Sequence, residues 1–212
     1  MTLFFAEGEL TASQRHRTLL VRSTDDTDMH TPTISTADME AGHVVRYADC
    51  NGSDLAYLDQ RLPGHEREIV NVIGMNVTEN TDDPMLEPKL GSAHGFSLVY
   101  NKAHPGSGSG PAFHVHQTEE VFVPMKGTWE VVWLEGEEER AIALEPLDVV
   151  NVPTGIYRGF RCISGEPDAL MLAIVGGPNA GKVSWHPSVI NAARNTGLEV
   201  DDEGNLKDVA TE

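Results

Sequence analysis

The feature that most constrains the fold of this chain is a succession of short apolar or alternating runs separated by turn residues, which begins at VVRYAD. Side chains in a strand alternate between two faces, so runs of this kind bury one face against a core. Their length and spacing are typical of an antiparallel barrel or sandwich. The runs are REIVNVIGMNV, GFSLVYNKA, EEVFVPM, TWEVVWLE, RAIALE, DVVNVP and ALMLAIV. The sequence therefore predicts an all-β fold.

The two ends of the chain have a different character. Residues 1–40 are rich in Ser, Thr and Asp and lack a periodic apolar pattern, which predicts an irregular N-terminal arm, loosely ordered or docked on a partner. Residues 186–212 contain VINAARNTG, preceded by Ser188 as a predicted cap and closed by Gly197, and then an acidic tail. A barrel over 41–185 is predicted between the arm and this short C-terminal helix.

The composition limits which classes of partner the protein can bind and which cellular compartment it suits. With 33 acidic and 15 basic residues the net charge is −18, so the cationic surface that nucleic acids and anionic membranes require is absent. No run approaches the roughly 20 apolar residues that span a bilayer. Cys50 and Cys162 form no C-x-x-C pair, so neither a zinc knuckle nor a disulfide framework is indicated. We expect a cytoplasmic protein without a targeting segment.

A candidate metal site lies in GSGSGPAFHVHQTEEVF. His114, His116 and Glu120 have the same parity, so on a strand all three side chains point to one face. Two imidazoles and one carboxylate suit a first-row divalent metal and leave coordination positions open for substrate, water or dioxygen. A structural zinc site would instead be closed by protein ligands.

The wider spacing carries a family resemblance. Gly108, His114, His116, Glu120 and Gly127 stand at G-x5-H-x-H-x3-E-x6-G. This resembles the first motif of the cupin superfamily at every position. The resemblance implies a double-stranded β-helix, or jelly-roll barrel, with one divalent metal near its centre. Iron(II) is the first choice, and Mn(II), Ni(II) and Zn(II) are the alternatives.

The second cupin motif, G-x5-P-x-G-x2-H-x3-N, is degenerate here. Pro153 and Gly155 keep their mutual spacing, which places the motif region at 108–162. Leu147 stands where the first glycine is expected, Arg158 where the histidine is expected, and Cys162 where the asparagine is expected. The resemblance therefore leaves the usual fourth ligand unassigned.

No histidine lies between His116 and His186, so a shift of register cannot restore that ligand. His94, His104, water or a substrate atom could take the position. His94 shares the parity of residues that we predict to face inward: Phe96, Leu98 and Tyr100.

Tyr157 and Arg158 follow a tight turn, and one of them should project into the pocket. A guanidinium keeps its proton and cannot bind a metal, so an inward Arg158 would pair with Glu120 or with an anionic substrate group. This favours an acidic substrate over a neutral one. The predicted apolar walls of the pocket are Phe113, Phe122 and Met125.

The cupin resemblance implies a metal-dependent enzyme that acts on a small organic molecule, and we expect a dioxygenase. The alternatives are a non-redox lyase or isomerase, and a non-catalytic binding or sensor protein. Small barrels of this kind leave strand edges that pairing covers, so a homodimer is expected.

Overall fold

The structure is a computed structural model that describes residues 33–74, 78–91, 95–104, 108, 110–177 and 180–209. The described strands and helices belong to the unit that begins at Thr36. Its strands are β1 (Arg67–Ile73), β2 (Phe96–Ala103), β3 (His114–Val115), β4 (Glu120–Lys126), β5 (Trp129–Glu135), β6 (Glu138–Leu144), β7 (Val150–Val152), β8 (Arg158–Cys162), β9 (Leu170–Gly176), β10 (Ser184–Trp185), β11 (Leu198–Val200) and β12 (Leu206–Asp208). The helices are α1 (Thr36–His43) and α2 (Pro187–Arg194), with 3-10 turns at Tyr47–Asp49, Leu58–Arg61 and Pro84–Leu86.

Ten of these strands form two antiparallel sheets. One sheet has the order β1-β2-β9-β4-β7 and the other β10-β3-β8-β5-β6. From β3 to β10 the chain passes repeatedly from one sheet to the other, which is the connectivity of a double-stranded β-helix. The predicted fold class is confirmed, with one correction: the strands form two facing sheets of a jelly roll rather than one closed barrel.

The core lies between the two sheets because alternate residues of each strand point inward. Phe122 on β4 meets Phe160 on β8 edge to face, with ring centroids 4.9 Å apart, and Trp129 on β5 meets the same ring at 5.5 Å. Met171 on β9 is fully buried beside them. Aromatic rings in this geometry contribute beyond the area they bury. These side chains therefore form one packed apolar cluster between the sheets.

Strand β2 faces opposite to the prediction. Its buried residues are Ser97, Val99, Asn101 and Ala103. Phe96 is exposed, and the ring of Tyr100 packs on Tyr47 at 5.3 Å on the outer face. The prediction that Phe96, Leu98 and Tyr100 face inward is therefore wrong, because a strand with apolar residues of both parities can bury either one.

The predicted short C-terminal helix is confirmed as α2, but the two ends differ from the prediction in other respects. Helix α1 lies across the predicted boundary at residue 40, and its residues are not buried. Helix α2 is capped by His186, whose Nδ1 accepts the Ser188 N–H, with Pro187 in the first turn; Ser188 is therefore inside the helix and is not the cap. The predicted acidic tail contains the hairpin of β11 and β12. The rest of the predicted arm, up to residue 32, lies outside the described residues, and the domain boundaries stay predictions.

One turn has unusual backbone geometry. Leu147 has φ of +76°, and its side chain is 73% exposed. It is the only described non-glycine residue with positive φ. This is the position where the cupin pattern expects glycine, so the turn has kept its left-handed conformation although a Cβ atom is present. In the described part of the chain, no helix is long and apolar enough to cross a membrane.

Candidate metal centre

The three candidate ligands come from both sheets. His114 is on β3 and His116 follows it, whereas Glu120 begins β4 in the facing sheet. On β3, His114 is paired with Trp185 on one side and with Arg158 on the other. Because the segment between His116 and Glu120 crosses between the sheets, the triad lies in the interior where the two sheets face each other.

The ligand atoms converge. His114 Nε2 is 3.5 Å from Glu120 Oε2, and His116 Nε2 is 3.7 Å from the same oxygen. All three residues are buried, and one nitrogen or oxygen from each lies within 4.8 Å of the others. Among the described residues this is the one group of three or more His, Cys, Asp or Glu side chains close enough to hold a metal ion.

The hydrogen bond of His114 determines its tautomer. Its Nδ1 lies 2.8 Å from the carbonyl oxygen of Ala112. A carbonyl only accepts, so Nδ1 carries the proton and Nε2 presents a lone pair toward Glu120. A second hydrogen bond of this kind orients most histidine ligands of metals. His114 is thus held in the tautomer that a metal requires.

The ring of His116 also suits a metal. Burial is the main cause that lowers its pKa to about 4, so the imidazole is neutral at pH 7. Its Nδ1 is buried without a hydrogen-bond partner among the described residues. A neutral imidazole nitrogen is the form that binds a divalent metal.

Glu120 is ionised despite its burial. Burial by itself would raise the pKa of this carboxyl, but its interactions with His116, with His114 and with the positive charge of Arg158 outweigh it and lower the pKa to about 2. The donor set therefore consists of two imidazole nitrogens and a carboxylate at neutral pH, and it fits a first-row divalent metal.

Arg158 faces the interior and supports Glu120. Its side chain is 0% exposed, and its Nε and Nη2 donate to Glu120 Oε2 at 3.1 and 3.0 Å. Its Nη1 is 3.4 Å from two backbone oxygens, those of His114 and Ile156. Of the two partners predicted for an inward Arg158, Glu120 and an anionic substrate group, the structure shows Glu120, whose carboxylate the guanidinium orients.

A small cavity of about 40 Å³ lies against the triad. This volume holds roughly three water molecules. The residues around it combine an apolar wall with a few polar groups: Tyr57, Arg67, Val99, Asn101, Pro111, His114, His116, Glu120, Phe160, Ala173, Val175, Val183 and Trp185. Such a pocket suits a small ligand held at few polar points.

Asp59 links the cavity wall to His114. It accepts two hydrogen bonds from Arg67, at 3.1 and 3.0 Å, and a third from the Ala112 N–H at 2.7 Å. The carbonyl of the same residue, Ala112, receives the Nδ1–H of His114. The buried pair of Asp59 and Arg67 thus holds the peptide that orients the first histidine.

Glu79 fixes the position of Trp185, another residue that lines the cavity. Its two carboxylate oxygens accept the Leu58 N–H and the Trp185 indole N–H, both at 2.6 Å. Trp185 in turn packs on the His114 ring, with centroids 5.5 Å apart. Burial raises the pKa of Glu79 to about 7. None of these supporting residues belongs to a recognisable sequence motif, because each meets its partner only in the folded chain.

Several residues predicted to form the site lie elsewhere. Tyr157 packs edge to face on His186 at 4.9 Å and does not line the cavity. His104 is paired with Asp54 at 3.0 Å, outside the triad, and His94 lies outside the described residues.

The predicted apolar walls are also displaced. Phe122 is buried in the core between the sheets, and Phe113 lines a second cavity on the side of α2. Met125 is 42% exposed near the end of β4. The observed apolar wall comes instead from Val99, Phe160 and Val175, on strands whose inward parity could not be determined from the sequence.

Fold and site together define the class of structure: a double-stranded β-helix with a buried His/His/Glu group. No family model and no curated protein matches the chain. Similar solved structures include KdgF from Halomonas sp., at 25% identity over 41% of this chain and 72% of that chain, with a TM-score of 0.34. An RmlC-like cupin from Desulfovibrio desulfuricans has 18% identity over 53% and 82% of the two chains, with a TM-score of 0.37. The polyketide cyclase RemF from Streptomyces resistomycificus has 19% identity over 66% and 82%, with a TM-score of 0.46.

Proposed function

We propose that this protein is a metal-dependent enzyme that acts on a small organic substrate, and that its reaction is an Fe(II)-dependent dioxygenation. The observation that carries the proposal is the convergence of two imidazole nitrogens and one ionised carboxylate on a cavity. A divalent iron held by three protein ligands would supply open coordination positions for substrate and dioxygen and a site for electron exchange between them.

The residues around the triad have separate roles in this proposal. The Ala112 carbonyl holds His114 in the metal-binding tautomer, and Arg158 keeps Glu120 ionised and fixes which of its oxygens faces the histidines. The apolar side chains of Val99, Phe160 and Val175 limit the entry of bulk water.

The small size of the cavity favours a second candidate, a non-redox lyase or isomerase. A volume of about 40 Å³ accommodates one small molecule more easily than a substrate and dioxygen together. Such an enzyme would use the metal as a Lewis acid, would tolerate Zn(II), and would not consume oxygen.

Metal analysis of the purified protein, combined with an oxygen electrode, tests the proposal. We expect about one divalent metal per chain, lost in His114→Ala and Glu120→Ala but kept in the matched control His104→Ala. Iron-loaded protein should consume oxygen with small hydroxy or keto acids. Turnover without oxygen uptake would select the lyase or isomerase, and a protein that cannot be loaded with any metal would refute both.

We also propose a cytoplasmic homodimer. Cys50 and Cys162 are free thiols, which is consistent with a reducing compartment. Strand β6 ends its sheet and is exposed from Glu138 to Ala143, with Ile142 on its surface. An exposed strand edge of this length invites pairing with a second copy.

A further inference from the structure

Two buried arginines lie near the triad, and one of them faces the cavity. Arg158 does not line it, and each nitrogen of its guanidinium contacts Glu120 or a backbone oxygen. Arg67 does line the cavity. Its two Nη atoms contact Asp59 and the His65 carbonyl, while its Nε is buried without a partner in the described part of the chain.

An unpaired buried N–H points to a missing acceptor. Leaving such a group without a partner costs about 1–3 kcal/mol, so native proteins nearly always satisfy it. Arg67 is 2% exposed and lines the same cavity of about 40 Å³ as the three residues of the triad, so one small molecule could contact both. The amide of Asn101 lies on the same wall.

The charges around the cavity indicate what that molecule should be. The titratable residues that line it are Tyr57, Arg67, His114, His116 and Glu120. Asp59 neutralises Arg67, and Arg158 neutralises Glu120. An imidazole that binds a metal carries no charge, so a divalent cation would bring two positive charges that no side chain lining the cavity compensates. Buried charge without a partner is costly, and an anionic ligand would supply one.

We infer that Arg67 anchors the substrate: its Nε–H binds the carboxylate of a small organic acid whose neighbouring hydroxyl or keto oxygen lies at the triad. This inference rests on the proposed function, and it gives Arg67 the substrate contact that was one of the two possibilities predicted for Arg158. Burial raises the pKa of Tyr57, so its phenol stays protonated and can donate a further hydrogen bond to an anion. The cavity limits the buried part of the acid to a few non-hydrogen atoms.

Glycolate and its neutral isostere glycolamide test the inference in the full-length protein loaded with diamagnetic Zn(II). Calorimetry should give glycolate at least about tenfold tighter binding than glycolamide, the value of a hydrogen bond to a charged group. In ¹H–¹⁵N spectra the Nε–H signal of Arg67 should shift on glycolate addition, and that of Arg158 should not. Equal affinity for the two ligands, or an unmoved Arg67 signal when glycolate binds, would overturn the inference.

Variants give a second measurement. Arg67→Lys keeps the charge but removes the Nε–H, and Asp59→Asn with Arg67→Gln neutralises the pair while leaving a carbonyl to accept the Ala112 N–H. Both should weaken glycolate by about tenfold and leave glycolamide unchanged. Arg161→Gln, on the surface, is the control. If a variant does not fold, the shift of the Arg67 Nε–H signal in the wild-type spectra still tests the inference.

Failure of the proposed function can be distinguished from failure of the Arg67 anion site. A protein that takes up no metal refutes the enzyme, and the glycolate titration is then repeated on the metal-free chain. A shift of Arg67 Nε–H under those conditions supports an anion site at Arg67, and its absence refutes that site independently.

Discussion

Replacing Arg158 by leucine should destabilise the metal-free protein by about 3–5 kcal/mol. The guanidinium is fully buried and donates two hydrogen bonds of 3.1 and 3.0 Å to Glu120 Oε2, which is itself buried. Leucine fills part of the space but leaves an ionised carboxylate without its cationic partner. Removing one member of a buried pair costs this much because the remaining charge stays desolvated.

The control for this prediction is Arg161→Leu. Arg161 also contacts two carboxylates, Glu130 at 2.8 Å and Glu139 at 3.0 Å, but its side chain is 42% exposed. Exposed ion pairs contribute about 0–1 kcal/mol. Denaturant unfolding of the two variants, followed by circular dichroism without metal, should therefore separate a large loss from a small one.

Two further measurements test the reason for the loss. Glu120→Gln in the Arg158→Leu background should recover part of the stability, since it removes the charge that Arg158 compensates. Divalent metal should raise the melting temperature of Arg158→Leu more than that of wild type, because the cation replaces the missing positive charge. If Arg158→Leu costs no more than Arg161→Leu, or if the double variant is no more stable than the single one, the account of this pair is wrong.

Three other predictions follow from described features. Leu147→Gly should raise the free energy of unfolding, measured by denaturation, by about 0.5–1 kcal/mol. The substitution removes the Cβ atom that is strained in a left-handed turn, and the extra chain entropy of glycine offsets part of that gain. Leu147→Ala keeps the Cβ atom and should give no gain in the same experiment. The pKa of Glu79 is raised to about 7, so the unfolded chain releases this proton at a lower pH than the folded one; the stability of wild type relative to Glu79→Gln should fall by about 3 kcal/mol between pH 4.5 and 7, and a constant difference between the two proteins would contradict this. Light scattering should give the mass of a dimer at micromolar concentration, and Ile142→Lys on β6 should shift it toward the monomer.

The fold could be predicted from local pattern, because strand alternation and the spacing of His114, His116 and Glu120 are both short-range properties. These three residues do come together, but not on the single strand assumed from their shared parity: His114 is on β3, and Glu120 begins β4 in the facing sheet. Parity failed on β2, where apolar residues of both parities occur and the buried face is that of Ser97, Val99, Asn101 and Ala103.

The residues that hold the ligands in position could not be predicted, because each contacts a partner that is far away in the sequence. Asp59 lies 53 positions from Ala112, and Glu79 lies 106 positions from Trp185. The residue type of Arg158 excluded metal ligation, but only the fold decided that it, and not Tyr157, turns inward. Arg67 was missed for a related reason: a charged residue at the start of a strand gives no local sign of being buried.

The unequal anchoring of the three ligands has a consequence for metal exchange. β3 is two residues long, whereas β4 has seven residues and is paired with both β9 and β7. The histidines are therefore attached to a segment with few ladder hydrogen bonds, and the carboxylate to a firmly held one. A metal bound across them would be released when β3 frays, so its residence time would be governed by the local opening of a strand, and any contact that tightens β3 against β8 or β10 would slow its loss.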